Sequence, residues 1–157
     1  MEQDPAFAFR IVVDIALRAL SPAINDPTTA VLAIDQIHHL LRKVGLRQLD
    51  TGVVRDRTGR VRLVYRTPDW EDFVELAVTE IRQCGADSVQ VARRLLAMLE
   101  NLLASLPPTR KGALQTELTL LEESVALHFH NAEDRSRASQ PDSQGVGGVS
   151  GSRTKVP

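Results

Sequence analysis

The chain has 157 residues, 43% of them hydrophobic and 25% charged; this is ordinary globular composition with room for one domain and its core, and it excludes two full-sized domains. Aromatic residues make up only 4%, so the core must come from Leu, Val, Ile and Ala, which favours helix packing over a β-sandwich. A net charge of −1 with a pI near 6.4 gives no global pull toward nucleic acid or an anionic membrane, and a lone cysteine, Cys84, excludes an internal disulfide and a thiol-based zinc site.

Asp4-Pro5, Asp26-Pro27 and Thr67-Pro68 each place a capping side chain before a proline. Proline is tolerated at the first helical position because its absent N–H would have no partner there. The first helix is predicted from Pro5 to Leu20 and the second from Pro27 to about Gly45. Residues 50–66 read as a β-hairpin: Val61, Leu63 and Tyr65 alternate with neighbours on the other face, and Arg57-Thr58-Gly59 supplies the turn. The third helix runs from Pro68 to Cys84, with Trp70, Phe73, Val74, Ala77, Val78 and Ile81 at i, i+3, i+4 spacing, and Gly85 ends it. Asp87 and Gln90 suggest a capping box for the fourth helix, whose stripe is Val91, Ala92, Leu95, Leu96, Leu99, Leu102, Leu103 and Leu106. Pro107-Pro108 stops it. Thr109 can cap a fifth helix with Leu114, Leu118, Leu121 and Val125 inward. The expected class is therefore mainly α, about five helices around a central apolar helix with one small hairpin. A domain over residues 1–135 is followed by a Ser/Gly-rich tail over 136–157, too poor in large apolar residues to offset its ordering entropy.

The first helix is the most unusual segment. Arg10, Asp14 and Arg18 lie at i, i+4 and i+8 on one face, and nearly everything else on it is apolar. A helix apolar on almost every side is expected at the centre of a fold, its Arg-Asp-Arg ladder partly buried and therefore paired. The loop Ser21-Pro-Ala-Ile-Asn-Asp-Pro-Thr-Thr29 then leads into the N-terminus of the second helix, where free N–H groups and the dipole favour an anion. Arg18, Ser21, Asn25, Asp26, Thr28 and Thr29 are the candidate ligand-binding residues, and Arg10, Asp14 and Arg18 the candidate structural network. A purely structural account, Asp26 capping and Asp14 neutralising both arginines, fits the same residues and carries more weight.

Other segments carry weaker signals. From Arg42 to Arg66 eight basic residues stand against Asp50 and Asp56, a net +6. Such a patch suits lipid headgroups or nucleic-acid phosphates. Tyr65 is its only aromatic residue, which gives base stacking little to work with and places nucleic acid last among the partners. A solvated hairpin whose charges block edge pairing is the favoured reading. His38 and His39 are adjacent and point to different sides of their helix. Asp35 with His39, and His130 with Glu133 or Asp134, are two-ligand pairs without a third ligand, so no metal is assigned. Cys84 falls at a helix C-terminus, a poor place for a thiolate nucleophile. With no Gly-rich phosphate loop and no nucleophile elbow, no catalytic residue and no cofactor are assigned.

No apolar run reaches the ~18 residues that span a bilayer, and Met1-Glu2-Gln3-Asp4 is acidic where a signal peptide would be basic; the chain as written is expected in the cytoplasm.

The residues Gln3-Asp4-Pro5, the run Val13 to Ala30 with its Ser-Pro-Ala-Ile-Asn-Asp-Pro-Thr-Thr-Ala motif, Pro68-Asp-Trp-Glu-Asp72 and Gly85 to Arg94 resemble a bacterial family of predicted membrane proteins, domain of unknown function 2254. The resemblance covers most of residues 2–125. It implies a longer protein with N-terminal transmembrane helices and a soluble portion that ends in the region seen here, on the cytoplasmic face of the inner membrane. It supplies a setting and no reaction. Its polar motif falls on Asp14, Arg18, Ser21, Asn25, Asp26, Thr28 and Thr29. The expected role is a non-enzymatic cytoplasmic interaction or regulatory domain that packs against the membrane portion or against a second copy. The alternative is an anion- or small-ligand-binding or catalytic domain built on the polar loop.

Overall fold

A computed structural model describes residues 5–142. Six α-helices and one two-stranded antiparallel sheet follow in order: α1 (Pro5–Ala19), α2 (Pro27–Gly45), β1 (Val53–Arg55), β2 (Val61–Val64), α3 (Trp70–Gly85), α4 (Val89–Ser105), α5 (Lys111–His128) and α6 (Ala132–Ala138), with a 3-10 turn at Pro108–Arg110 before α5. The mainly α class with a single hairpin agrees with the helical periodicities.

α2, α3 and α4 pack on one another and form the middle of the domain. α1 lies against α2 and α3, α5 against α3 and α4, and α6 chiefly against α4. The stripe of α3 is buried as its spacing requires, with Trp70, Phe73, Val74, Ala77, Val78 and Ile81 all in the core. Leu95, Leu99 and Leu102 of α4 and Leu114 and Leu121 of α5 meet it there. Trp70 gives up little by burial, because its indole N–H donates to the Arg110 carbonyl at 2.8 Å and the Arg110 guanidinium lies over its ring.

The first helix is not central. Its buried residues are Ala6, Phe9, Val13, Ala16 and Ala19, one stripe rich in alanine, while Phe7, Ile11 and Ile15 face outward. Alanines let α1 approach its neighbours closely, so the larger residues of a helix with little polar contrast are left on the outside.

Helix starts also differ from expectation in detail. Asp26 does cap α2, accepting from the Thr29 N–H at 3.1 Å. α3 begins two residues after Pro68, because Asp69 and Asp72 form a reciprocal capping box that Thr67 cannot. The cap of α4 is Ser88 without a side-chain bond, so the Asp87–Gln90 box does not form. Thr109 is absorbed into the 3-10 turn, and α5 starts at Lys111 without a side-chain cap. α6, capped by Asn131, crosses the domain boundary expected near residue 135. The chain then returns to α4: Arg93 Nε donates to the Gln140 carbonyl at 3.0 Å, and the Asp142 N–H to the Arg93 carbonyl at 3.1 Å. The remainder of the expected tail, 143–157, lies outside the described residues.

Candidate functional site

The polar loop between α1 and α2 is a built connection. The Ser21 hydroxyl donates to the Arg18 carbonyl at 2.8 Å. The Asn25 N–H donates to the Ser21 carbonyl at 2.8 Å, and Asn25 takes a left-handed φ of 48° that asparagine tolerates better than most residues. That turn lets the Asp26 N–H reach the Ala19 carbonyl at 2.7 Å, closing the end of α1. Asp26 then accepts from both the N–H and the hydroxyl of Thr29. The Thr29 hydroxyl first, and its N–H second, hold the Asp26 carboxyl below its usual 3.8. Thr28 is exposed beside it.

The charged ladder stands in solvent, contrary to the expectation of a shielded one. Arg18 pairs with Asp14 at 2.8 Å, with side chains 75% and 56% exposed. Arg10 is also exposed and borders a separate open groove of about 750 Å³ with Ala6, Arg66, Asp72, Phe73 and Glu80. The link between Arg18 and the loop is its backbone carbonyl, not its guanidinium. Of the six candidate ligand residues, Thr29 lines a described groove, a largely apolar one of about 470 Å³ between α1 and α2 with Val12, Ile15, Leu32, Asp35 and His39.

The shielded charges lie elsewhere, on α2, α3, α4 and α5, where helices pack over one another. Arg82 on α3 and Glu117 on α5 pair at 2.9 Å with side chains 10% and 9% exposed. The Thr79 hydroxyl donates to the other Glu117 oxygen at 2.7 Å. Arg94 on α4 pairs with Asp35 on α2, and its Nη1 donates to the Asp142 carbonyl at 2.9 Å. Glu117 sits three residues after Leu114 and four before Leu121, so its place on the apolar stripe was visible; its partner, 35 residues away in sequence, was not. Among the described residues no buried side-chain nitrogen or oxygen lacks a hydrogen-bond partner. Thus the interior polar groups bind each other and tie helices together.

His38 reaches Asn101 on α4 at 2.9 Å, and burial pushes its imidazole below the usual 6.5. Asp35 is engaged by Arg94 and Glu133 by Arg137. Among the described residues no group of three or more His, Cys, Asp or Glu gathers to hold a metal. Cys84 is exposed.

Two exposed apolar surfaces stand out. On α1, Phe7, Ile11 and Ile15 follow at four-residue spacing and are 62%, 47% and 46% exposed; Leu32 of α2, across the groove from Ile15, is 61% exposed. On the hairpin, Val54, Val61, Leu63, Val64 and Tyr65 are all exposed.

These features define a mainly helical domain with one hairpin, whose buried polar side chains are partnered among the described residues and whose apolar outer faces are uncovered. The chain belongs to the family described as predicted membrane protein (DUF2254), whose model matches residues 1–101. It is 32% identical over 136 residues to the uncharacterized proteins Rv1290c of Mycobacterium tuberculosis and Mb1321c of Mycobacterium bovis, a match covering 86% of this chain and 26% of each relative. The chain thus spans about a quarter of the length of these curated relatives. No solved structure matches it significantly. No helix among the described residues is long and apolar enough to cross a membrane.

Proposed function

We propose that this chain is a non-enzymatic interaction domain of a membrane protein, placed on the cytoplasmic side, and that it docks through the α1–α2 face onto the remaining portion of the longer protein. The observation that carries the proposal is the row Phe7, Ile11, Ile15 with Leu32, about half exposed or more. Contiguous apolar surface on a domain marks a contact site. Covering these four side chains is worth about 1 kcal/mol each, half the value of burying such residues from full exposure. Relatives about four times as long as the matched region offer ample chain to cover them.

The anion-binding alternative has less support. Asp26 occupies the place at the α2 N-terminus where an anion would sit, and Thr29 holds its carboxyl ionised. An incoming anion would meet a like charge, and Arg18 is engaged with Asp14.

Light scattering after size-exclusion chromatography, with a fluorescent hydrophobic dye, tests the proposal on the 157-residue chain. The expected result is a monomer that binds dye, and an Ile11→Glu/Ile15→Glu variant that keeps its helical circular dichroism and loses the share of the dye signal that the α1–α2 face adds to that of the exposed hairpin; an unchanged signal in the variant would count against the docking face. A stable dimer that excludes dye would assign the face to a second copy instead. A monomer that binds no dye would overturn the docking face altogether.

A further inference from the structure

The hairpin is the second uncovered surface, and it differs from the first in charge. It is an arm: its strands pair with each other, and their principal neighbours are one another, not the helices. Val53 pairs with Val64 and Val54 with Leu63, so an apolar pair lies on each face of the ribbon. All four residues of β2 are exposed. A two-stranded ribbon with no covering layer is marginal on its own.

Polar fastenings at both ends hold this one. At the tip, Asp56 accepts from the Thr58 N–H and hydroxyl at 2.8 and 2.6 Å, from the Arg60 N–H at 3.0 Å and from Arg62 Nε at 2.8 Å. At the base, Asp50 accepts from the Gly52 N–H at 2.9 Å and from the Tyr65 hydroxyl, while the Tyr65 N–H donates to the Gly52 carbonyl at 2.8 Å. The arm thus keeps its shape by hydrogen bonds and leaves its apolar side chains outward. Around them residues 53–66 carry five arginines, Arg55, Arg57, Arg60, Arg62 and Arg66, against the one acid Asp56. All five are exposed.

We infer that the hairpin is a bilayer-binding arm, in which exposed arginines meet anionic phospholipid headgroups while Leu63 and its cross-strand partner Val54, on one face of the ribbon, enter the interface. Charge complementarity selects this occupant. A neutral apolar protein partner would have to desolvate several arginines, whereas a headgroup layer satisfies them and accepts short apolar residues beneath. Membership of a predicted membrane-protein family places such a surface within reach. The inference stands apart from the α1–α2 docking face, because a different element carries it.

Flotation of the 157-residue chain with vesicles provides the test, comparing phosphatidylcholine alone with phosphatidylcholine plus phosphatidylglycerol. Binding is expected to the anionic vesicles only and to fall as salt is raised. The Arg57 and Arg60 side chains lie outside the hydrogen bonds of the turn, so Arg57→Ser/Arg60→Ser leaves the hairpin intact. It should weaken partition about 30-fold, the factor carried by two surface cations. A Leu63→Trp variant should show a blue shift in emission on binding, independently of any loss-of-fold question, over the signal of buried Trp70. Ile11→Glu/Ile15→Glu should bind vesicles as the parent does, so this inference and the docking proposal fail separately. Equal binding to neutral vesicles, no binding at low salt, an unmoved arginine variant, or displacement from vesicles by short duplex DNA would each overturn the assignment, the last in favour of nucleic acid.

Discussion

Removing Glu117 should destabilise the protein far more than its place on an ordinary helix face would suggest. In Glu117→Leu, Arg82 keeps a 3.4 Å contact to the Ser124 hydroxyl and the Thr79 hydroxyl loses its acceptor, both in a region where the paired side chains are only about one-tenth exposed. Breaking a buried pair by deleting one member costs about 3–5 kcal/mol, because the survivor stays charged and poorly solvated. The residual exposure places the expected loss near the lower end, about 3 kcal/mol, or about 10 °C in melting temperature for a domain of this size. Arg82→Met should cost a similar amount. The double variant Arg82→Met/Glu117→Leu leaves no orphaned charge, and apolar replacements of similar volume are often neutral or better, so it should lie within about 1 kcal/mol of the parent. Urea unfolding at neutral pH, followed by circular dichroism and Trp70 fluorescence, measures all four corners of this cycle. Additive losses in the double variant, or single losses below about 1 kcal/mol, would refute the reasoning and make the pair equivalent to a surface one. Asp14→Ala, which breaks the exposed pair with Arg18, is the internal comparison and should change stability by about 0.5 kcal/mol or less.

The Asp26 cap should make stability acid-sensitive: its folded pKa lies below 3.8, so its contribution is present above that value and lost as pH falls through the lowered one. The unfolding curves of the parent and Asp26→Ala should therefore converge in strong acid and separate at neutral pH; a constant gap would contradict the capping role. His38 titrates below 6.5 because burial disfavours its charged form, so the unfolded chain binds the proton more readily. Its contribution is complete above 6.5 and fades as pH falls through the lowered value; His38→Gln should flatten that part of the stability profile, and an imidazole NMR titration at or above 6.5 would count against this. At the hairpin base, Gly52 has φ +68°, and a Cβ there would lie 2.0 Å from the Tyr65 carbonyl oxygen. Gly52→Ala should abolish amide protection in β1 and β2 while helical circular dichroism stays nearly unchanged, since the arm is not part of the core; retained protection would show that the hairpin accommodates the side chain.

What the sequence determined alone is what depends on near neighbours along the chain. The stripes of α3, α4 and α5 repeat every three to four residues, so their inward faces were legible without knowing what covers them. The hairpin, its Gly59 turn and the Asp26 cap rest on contacts a few residues apart and were legible for the same reason. Tertiary structure decided everything that required a second element. α1 is apolar on so many sides that its periodicity names no inward face; close packing on α2 and α3 selected the alanine stripe and left Phe7, Ile11 and Ile15 outside with the Asp14–Arg18 pair. Likewise Glu117 flanks the apolar stripe of its own helix, whereas Arg82 and Arg94 lie off the stripes of theirs and are buried only because other helices pack over them. Their partners lie on other helices, because charge pairing across a core is settled by which helices meet, and local spacing holds no record of that.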